Sequence, residues 1–97
     1  MTSLSEITQK LKAYLPTLKQ KYNVSEMAIF GSYVRGEATE NSDLDIMIDF
    51  NGEIGWDYFD LYNDVQKLFP KIKIDIVTKG GIQPHYWEFL KNKMQYV

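Results

Sequence analysis

The sequence predicts an α/β fold, because its signals alternate in the order helix, strand, helix, strand, helix, strand, helix. Three observations carry this. Leu4, Ile7, Leu11, Tyr14, Leu15, Leu18 and Tyr22 recur at helical spacing. Leu44, Ile46 and Ile48, and again Ile72, Ile74 and Ile76, recur with a period of two, the mark of half-buried strands. Gly31, Pro70 and the Gly80-Gly81 pair punctuate the chain between these runs. Periodicity alone implies right-handed parallel crossovers between the strands.

In chain order, residues 3–22 read as a packing helix. Ser3 and Glu6 have the capping-box spacing. Pro16 falls inside the apolar stripe, where it costs about 3 kcal/mol in an ideal helix, so a kink or break is expected near Leu15. Asn23 suits the left-handed conformation that ends a helix. A strand is expected over 26–30, a short helix over 32–37, a polar loop over 38–42 and a second strand over 43–50. The run Asn51-Gly52-Glu53-Ile54-Gly55 reads as a flexible turn. Residues 57–69 read as a helix with Tyr58, Leu61, Tyr62, Val65, Leu68 and Phe69 inward, stopped by Pro70. A third strand is expected over 71–77, a loop at Lys79-Gly80-Gly81, and a last helix from Pro84 to about Lys91. Residues 94–97 fit a short edge strand or a frayed tail. With no repeats and no linker, a single domain over 1–97 is expected.

Chemistry concentrates between Phe30 and Phe50. The apolar run Met27-Ala28-Ile29-Phe30 stops at Gly31, and a glycine there lets a ligand approach the backbone closely. Ser32 stands where a helix begins; as an N-cap, or by its hydroxyl, it adds to free N–H groups that suit a phosphate. Arg35 follows one turn later, in reach of the same phosphates or of Glu37 and Glu40. Asp43 and Asp45 are two apart and share a face. If both isoleucine-rich faces enter one core, Asp43, Asp45 and Asp75 emerge together on the opposite face. Carboxylates so gathered repel one another, and all-oxygen ligands fit a hard cation such as Mg²⁺. Ser42 either orients the start of that strand or is a turn serine. Asp49 shares the face but lies four residues beyond Asp45. At a strand's rise that is about 13 Å, against about 4 Å between paired catalytic metals, so Asp49 is expected to be solvated.

These residues resemble a known family. Gly31-Ser32, Arg35-Gly36, Ser42-Asp43-Leu44-Asp45 and Asp75 in an Ile-Asp-Ile-Val strand are similar to the motifs of the minimal nucleotidyltransferases of the polymerase-β-like superfamily. Val34 stands where that family often has alanine. The resemblance covers nearly the whole chain. It implies a small mixed sheet with helices packed on one face, in place of parallel crossovers. It also implies two Mg²⁺ ions on Asp43, Asp45 and Asp75, with Asp75 as general base, and Gly31 and Ser32 on the β- and γ-phosphates of ATP. Stand-alone members of the family are commonly antitoxins of helical HEPN ribonuclease toxins, and several transfer AMP to a tyrosine of the toxin. That is the expected function. The alternatives are nucleotidyl transfer to a small molecule, or a binding module that masks its partner without catalysis.

Composition sets the remaining bounds. No cysteine is present, which excludes disulfides and thiolate metal sites and suits a cytoplasmic protein. No run is apolar enough for a membrane span and no signal-peptide pattern opens the chain. A net charge of −2, with Lys67, Lys71, Lys73 and Lys79 only a thin cluster, disfavours nucleic acid as partner. His85, the single histidine, lacks a second histidine or cysteine for a metal site and reads as surface or interface. Trp56, Tyr58, Tyr62, Tyr86 and Trp87 read as core, with enough aromatics left over for a homo- or hetero-oligomeric interface.

Overall fold

The computed structural model describes residues 2–97. Its elements are α1 (Leu4–Tyr22), β1 (Val24–Phe30), α2 (Ser32–Arg35), β2 (Leu44–Phe50), α3 (Asp57–Leu68), β3 (Ile74–Thr78), a 3₁₀ turn (Lys79–Gly81), α4 (Pro84–Leu90) and β4 (Gln95–Tyr96). The sheet order is β3-β2-β1-β4. β1 runs antiparallel to both β2 and β4, and only β2 and β3 are parallel. Periodicity alone therefore misjudged the first connection, and the mixed sheet implied by the resemblance is what forms. The reason is length. α2 has four residues, about 6 Å of rise, whereas a return along seven-residue β1 needs more than about 20 Å. β2 can only run straight back.

α1 opens as the capping spacing predicts, with the Glu6 N–H donating to the Ser3 hydroxyl at 3.2 Å. It closes at Asn23, in the left-handed region at φ 62°. The Asn51 N–H donates to the Asn23 carbonyl and the Asn23 side-chain amide to the Asn51 carbonyl, both at 2.9 Å, tying the end of α1 to the end of β2. Pro16 does not break the helix. Ile7, Leu11, Leu15 and Leu18 keep one buried face across it, and burying each is worth about 1.5–3 kcal/mol, more in sum than the proline costs.

Alternation sorts the two faces of the sheet. Met27, Ile29, Leu44, Ile46, Ile48, Ile74 and Ile76 are buried in the main core with α1 and α3. On the other face Ala28, Phe30, Met47 and Leu90 form a smaller cluster under α4. The aspartates stand on this second face, beside that cluster. β3 begins at Ile74, not Lys71, because α3 claims the preceding segment. The Gln66 amide donates to the Phe69 and Ile72 carbonyls at 2.8 and 2.7 Å, which folds 69–72 into a turn. Residues 95–96 form the edge strand rather than a frayed tail.

Candidate active site

The parallel pairing of β2 and β3 sets Asp45 directly beside Asp75, and the antiparallel pairing sets Asp45 beside Phe30, the last residue before the turn. Asp43 precedes β2 by one residue. Leu44, fully buried, fixes which way its two acidic neighbours point. The Asp45 carboxyl is held above its ordinary pKa, first by burial, then by the negative charges of Asp75 and Asp43; Arg35 acts in the opposite direction. The three carboxylates thus share one electrostatic field. Asp49 stands outside it, beside Lys79, as the spacing predicts.

Gly31 is what brings the turn against the carboxylates. Its φ of 80° and ψ of −151° belong to a region that only glycine enters freely. A Cβ placed on it would collide with Asp45 Oδ2. The Val34 and Arg35 N–H groups both donate to the Gly31 carbonyl at 3.1 Å, closing the first turn of α2. Tyr33 is buried in the main core and anchors that turn. The helix cap is therefore Gly31, and Ser32 is the first helical residue, not the N-cap that sequence allows.

Gly31, Ser32, Arg35, Ser42, Asp43 and Asp45 line one hollow of about 330 Å³. Arg35 lines the hollow, and its Nε lies 3.3 Å from Glu37 Oε1 in an exposed pair. The Ser42 hydroxyl accepts the Thr39 N–H at 2.8 Å, as a turn serine does, and the residue lines the hollow. A second hollow of about 470 Å³ contains Asp45, Asp75, Val77, Ile82, His85 and Tyr86. Phe30, Asp45, Tyr86 and Leu90 line both, so the two hollows are halves of one groove with Asp45 at the divide.

Sequence reasoning missed His85, Tyr86 and Gln83 as groove residues. They arrive through the 3₁₀ turn and α4, which fold back over the aspartate face, and no local spacing signals that. Tyr86 and Trp56 also correct the reading of the aromatics as core, being 48% and 87% exposed. Trp56 precedes the inward stripe of α3, and Tyr86 stands at the rim of α4, whereas Tyr58, Tyr62 and Trp87 do pack against the two cores.

The donor set suits a hard cation by its chemistry, being all carboxylate and unbalanced in charge. Among the described residues, no three histidine, aspartate or glutamate side chains form a ready-made metal cage. Mg²⁺ at phosphoryl-transfer sites is held by one or two carboxylates together with substrate phosphates and water, a mode that needs no such cage.

A small mixed sheet with a Gly-Ser turn beside paired aspartates is the framework of a nucleotidyltransferase. A family model described as "Nucleotidyltransferase domain" matches residues 11–97. The chain belongs to this family, as one of its minimal members related to the MntA-type adenylyltransferases, and its class is enzymatic. It is 40% identical to the Methanocaldococcus jannaschii protein named "Putative protein adenylyltransferase MJ1379", over the full length of both. It is 32% identical to "Protein adenylyltransferase MntA" of Thermococcus cleftensis, over 100% of this chain and 98% of the other. A solved structure described as a "putative minimal nucleotidyltransferase" superposes with a TM-score of 0.79 at 29% identity, covering 96% of this chain and 94% of that one. A chain of a toxin-antitoxin crystal structure with AMP-PNP shares the fold at a TM-score of 0.68 and 16% identity, over 88% of this chain and 70% of that one. Among the described residues no helix is long and apolar enough to cross a membrane.

Proposed function

We propose that this protein transfers AMP from ATP to a tyrosine hydroxyl of a helical HEPN-type toxin, as its antitoxin, in the cytoplasm where ATP and Mg²⁺ are at hand. The observation that carries this is the two-ended groove. One end offers a glycine turn, a serine and an arginine to phosphates, the other offers Asp75 to an acceptor, and Asp45 stands between them. The names of the similar proteins, protein adenylyltransferases, support the transferred group. The toxin-antitoxin structure with AMP-PNP agrees with the setting.

Gly31 and Ser32 position the β- and γ-phosphates, and Arg35 adds positive charge beside them. Asp43, Asp45 and Asp75 would hold Mg²⁺, which would supply positive charge to neutralise the phosphates and to favour the ionised acceptor. Asp75 takes the phenolic proton. The tyrosine oxygen attacks the α-phosphorus in line. The bond from that phosphorus to the bridging oxygen breaks, and pyrophosphate leaves with the electron pair.

The test combines purified protein, Mg²⁺, labelled ATP and a helical HEPN-type toxin. AMP should become covalently attached to the partner, seen by mass spectrometry. Asp43→Asn should stop the labelling and leave partner binding largely intact. If wild-type protein neutralises the partner with no added mass, and Asp43→Asn neutralises it equally well, the masking module replaces the enzyme. Labelling of a small-molecule acceptor in place of the partner would favour the other alternative.

A further inference from the structure

The two ends of the groove differ in chemistry, and the difference bears on what each end holds. The Gly31 end is polar. Phe30, Leu90 and the Tyr86 ring border both ends, and the Asp75 end adds the apolar side chains of Val77 and Ile82. Beyond Asp45 and Asp75, the polar groups among its described lining side chains are those of Gln83 and His85 and the Tyr86 hydroxyl. Residues 83–86 at its rim are all exposed, so this end opens at the surface.

We propose that Ile82, His85 and Tyr86 form the acceptor wall of this groove and select a hydroxyl carried on an aromatic ring. The inference rests on the transfer reading above and assigns the residues that recognise the acceptor. A sugar or aminoglycoside presents many hydroxyl and amine groups, and each left unpaired against apolar walls costs affinity. A serine or threonine hydroxyl sits so close to its backbone that reaching Asp75 would drag peptide N–H and C=O groups against Ile82 and Val77. A tyrosine avoids both problems. Its ring covers the apolar wall, its hydroxyl reaches the carboxylates a ring's length away, and its backbone stays at the rim. There Gln83 and His85 supply polar partners.

Tyr86 is held as a ready-made plane for this purpose. Its ring stacks on Phe89, with centroids 6.2 Å apart and planes 9° from parallel. The Lys93 ammonium caps Phe89, 4.3 Å from the ring centre. Such a stack fixes orientation before the acceptor arrives, so less ordering is left to binding. Placed against this wall, the tyrosine oxygen forms its bond to the α-phosphorus, the phenolic proton passes to Asp75, and pyrophosphate departs as described above.

The probes are N-acetyltyrosinamide and N-acetylserinamide, with the full chain, Mg²⁺ and ATP. AMP transfer and pyrophosphate release are measured separately. Wild-type protein should modify the tyrosine probe in clear preference to the serine probe. Ile82→Asp and Tyr86→Ala should raise KM for the tyrosine probe roughly tenfold or more, the scale of a lost apolar contact, and Ile82→Asp, at a residue that lines the Asp75 end alone, should do so with a far smaller change in KM for ATP. Tyr86→Phe should restore the tyrosine-probe KM, because the ring and not its hydroxyl forms the wall. Since His85 is the only histidine, its imidazole resonance reports this wall alone. In protein saturated with Mg²⁺ and a non-hydrolysable ATP analogue, the tyrosine probe should shift it and the serine probe should not. Variants that raise KM for ATP instead would make this wall a nucleobase site and overturn the proposal. So would equal use of the two probes, or pyrophosphate release with neither probe modified. No transfer and no pyrophosphate release from wild-type protein, even with the helical partner present, would sink the transfer reading itself.

Discussion

Gly31 and Asp45 constrain each other. The carboxylate of one occupies the space a side chain on the other would need, and the turn at Gly31 has a backbone conformation that costs other residues about 1–3 kcal/mol. Gly31→Ala is therefore expected to lower the unfolding free energy, read from urea denaturation, by that order and to abolish transfer, by pushing Asp45 from its place. A variant with full activity would show that the contact is not maintained. Asp45 allows a second prediction with a definite sign. Burial and the neighbouring Asp75 and Asp43 raise its pKa, so the folded protein binds this proton more tightly than the unfolded chain. The associated stability is complete below the unfolded value of about 3.9 and is lost as pH rises through the folded value. Asp45→Asn should accordingly be more stable than wild type at pH 7, with the gain shrinking as pH falls toward about 4, while transfer is lost. Urea denaturation at the two pH values checks this, and a variant less stable at pH 7 contradicts it. Asp49→Asn, outside the groove, should keep transfer within about twofold of wild type.

The elements show where local signals end and long-range contacts begin. β3 is an edge strand, and α3 covers its open side with one row of polar side chains. The Tyr58 hydroxyl donates to the Ile76 carbonyl at 3.3 Å and the Tyr62 hydroxyl to the Ile74 carbonyl at 2.9 Å. Gln66 extends the row to Phe69, Ile72 and the Ile74 N–H. At spacings of four on a helix the three side chains stack along one face, and together they satisfy groups that an exposed edge would offer to another strand. Tyr62→Phe should cost about 1 kcal/mol and Gln66→Ala roughly 2 kcal/mol, since the glutamine serves three backbone groups. Chemical denaturation ranks them, and the reverse order would refute the account. The alternation of Ile72, Ile74 and Ile76 correctly announced a strand, but its start was hidden because the Gln66 side chain takes the carbonyl of Ile72, a contact that no apolar periodicity signals. Pro16 was misleading for a similar reason. Its penalty is local, and the burial of Leu15 and Leu18 that outweighs it is tertiary. The direction of β2 was legible only in the length of the connection, not in any pattern of apolar residues.

At the scale of the molecule, the fold gathers charge on one face and cements the other. The common face of the aspartates was legible because a period of two fixes faces: once Leu44, Ile46, Ile74 and Ile76 are buried, Asp45 and Asp75 emerge on the opposite face, and the parallel register then sets them side by side. The far wall of the groove was not legible, because His85 and Tyr86 reach it only when α4 folds back over Phe30 and Met47. This arrangement makes the folded state itself a reporter of ligand. With carboxylates gathered and Arg35 too weak a counterweight, the free protein carries an electrostatic cost that a bound cation would remove. A non-hydrolysable ATP analogue with Mg²⁺ should raise stability by about 2.7 kcal/mol when the complex is present at a hundred times its Kd. For a domain of this size each 1 kcal/mol moves Tm by about 4–8 °C, so a thermal melt resolves the effect readily. The analogue without metal should stabilise much less, because its phosphates would then face the carboxylates unshielded. Chelation with EDTA should return the melt to that seen with the analogue alone, and Asp75→Asn should weaken the metal-dependent part. Equal stabilisation by the analogue with and without Mg²⁺ would mean that the nucleotide binds away from the three aspartates.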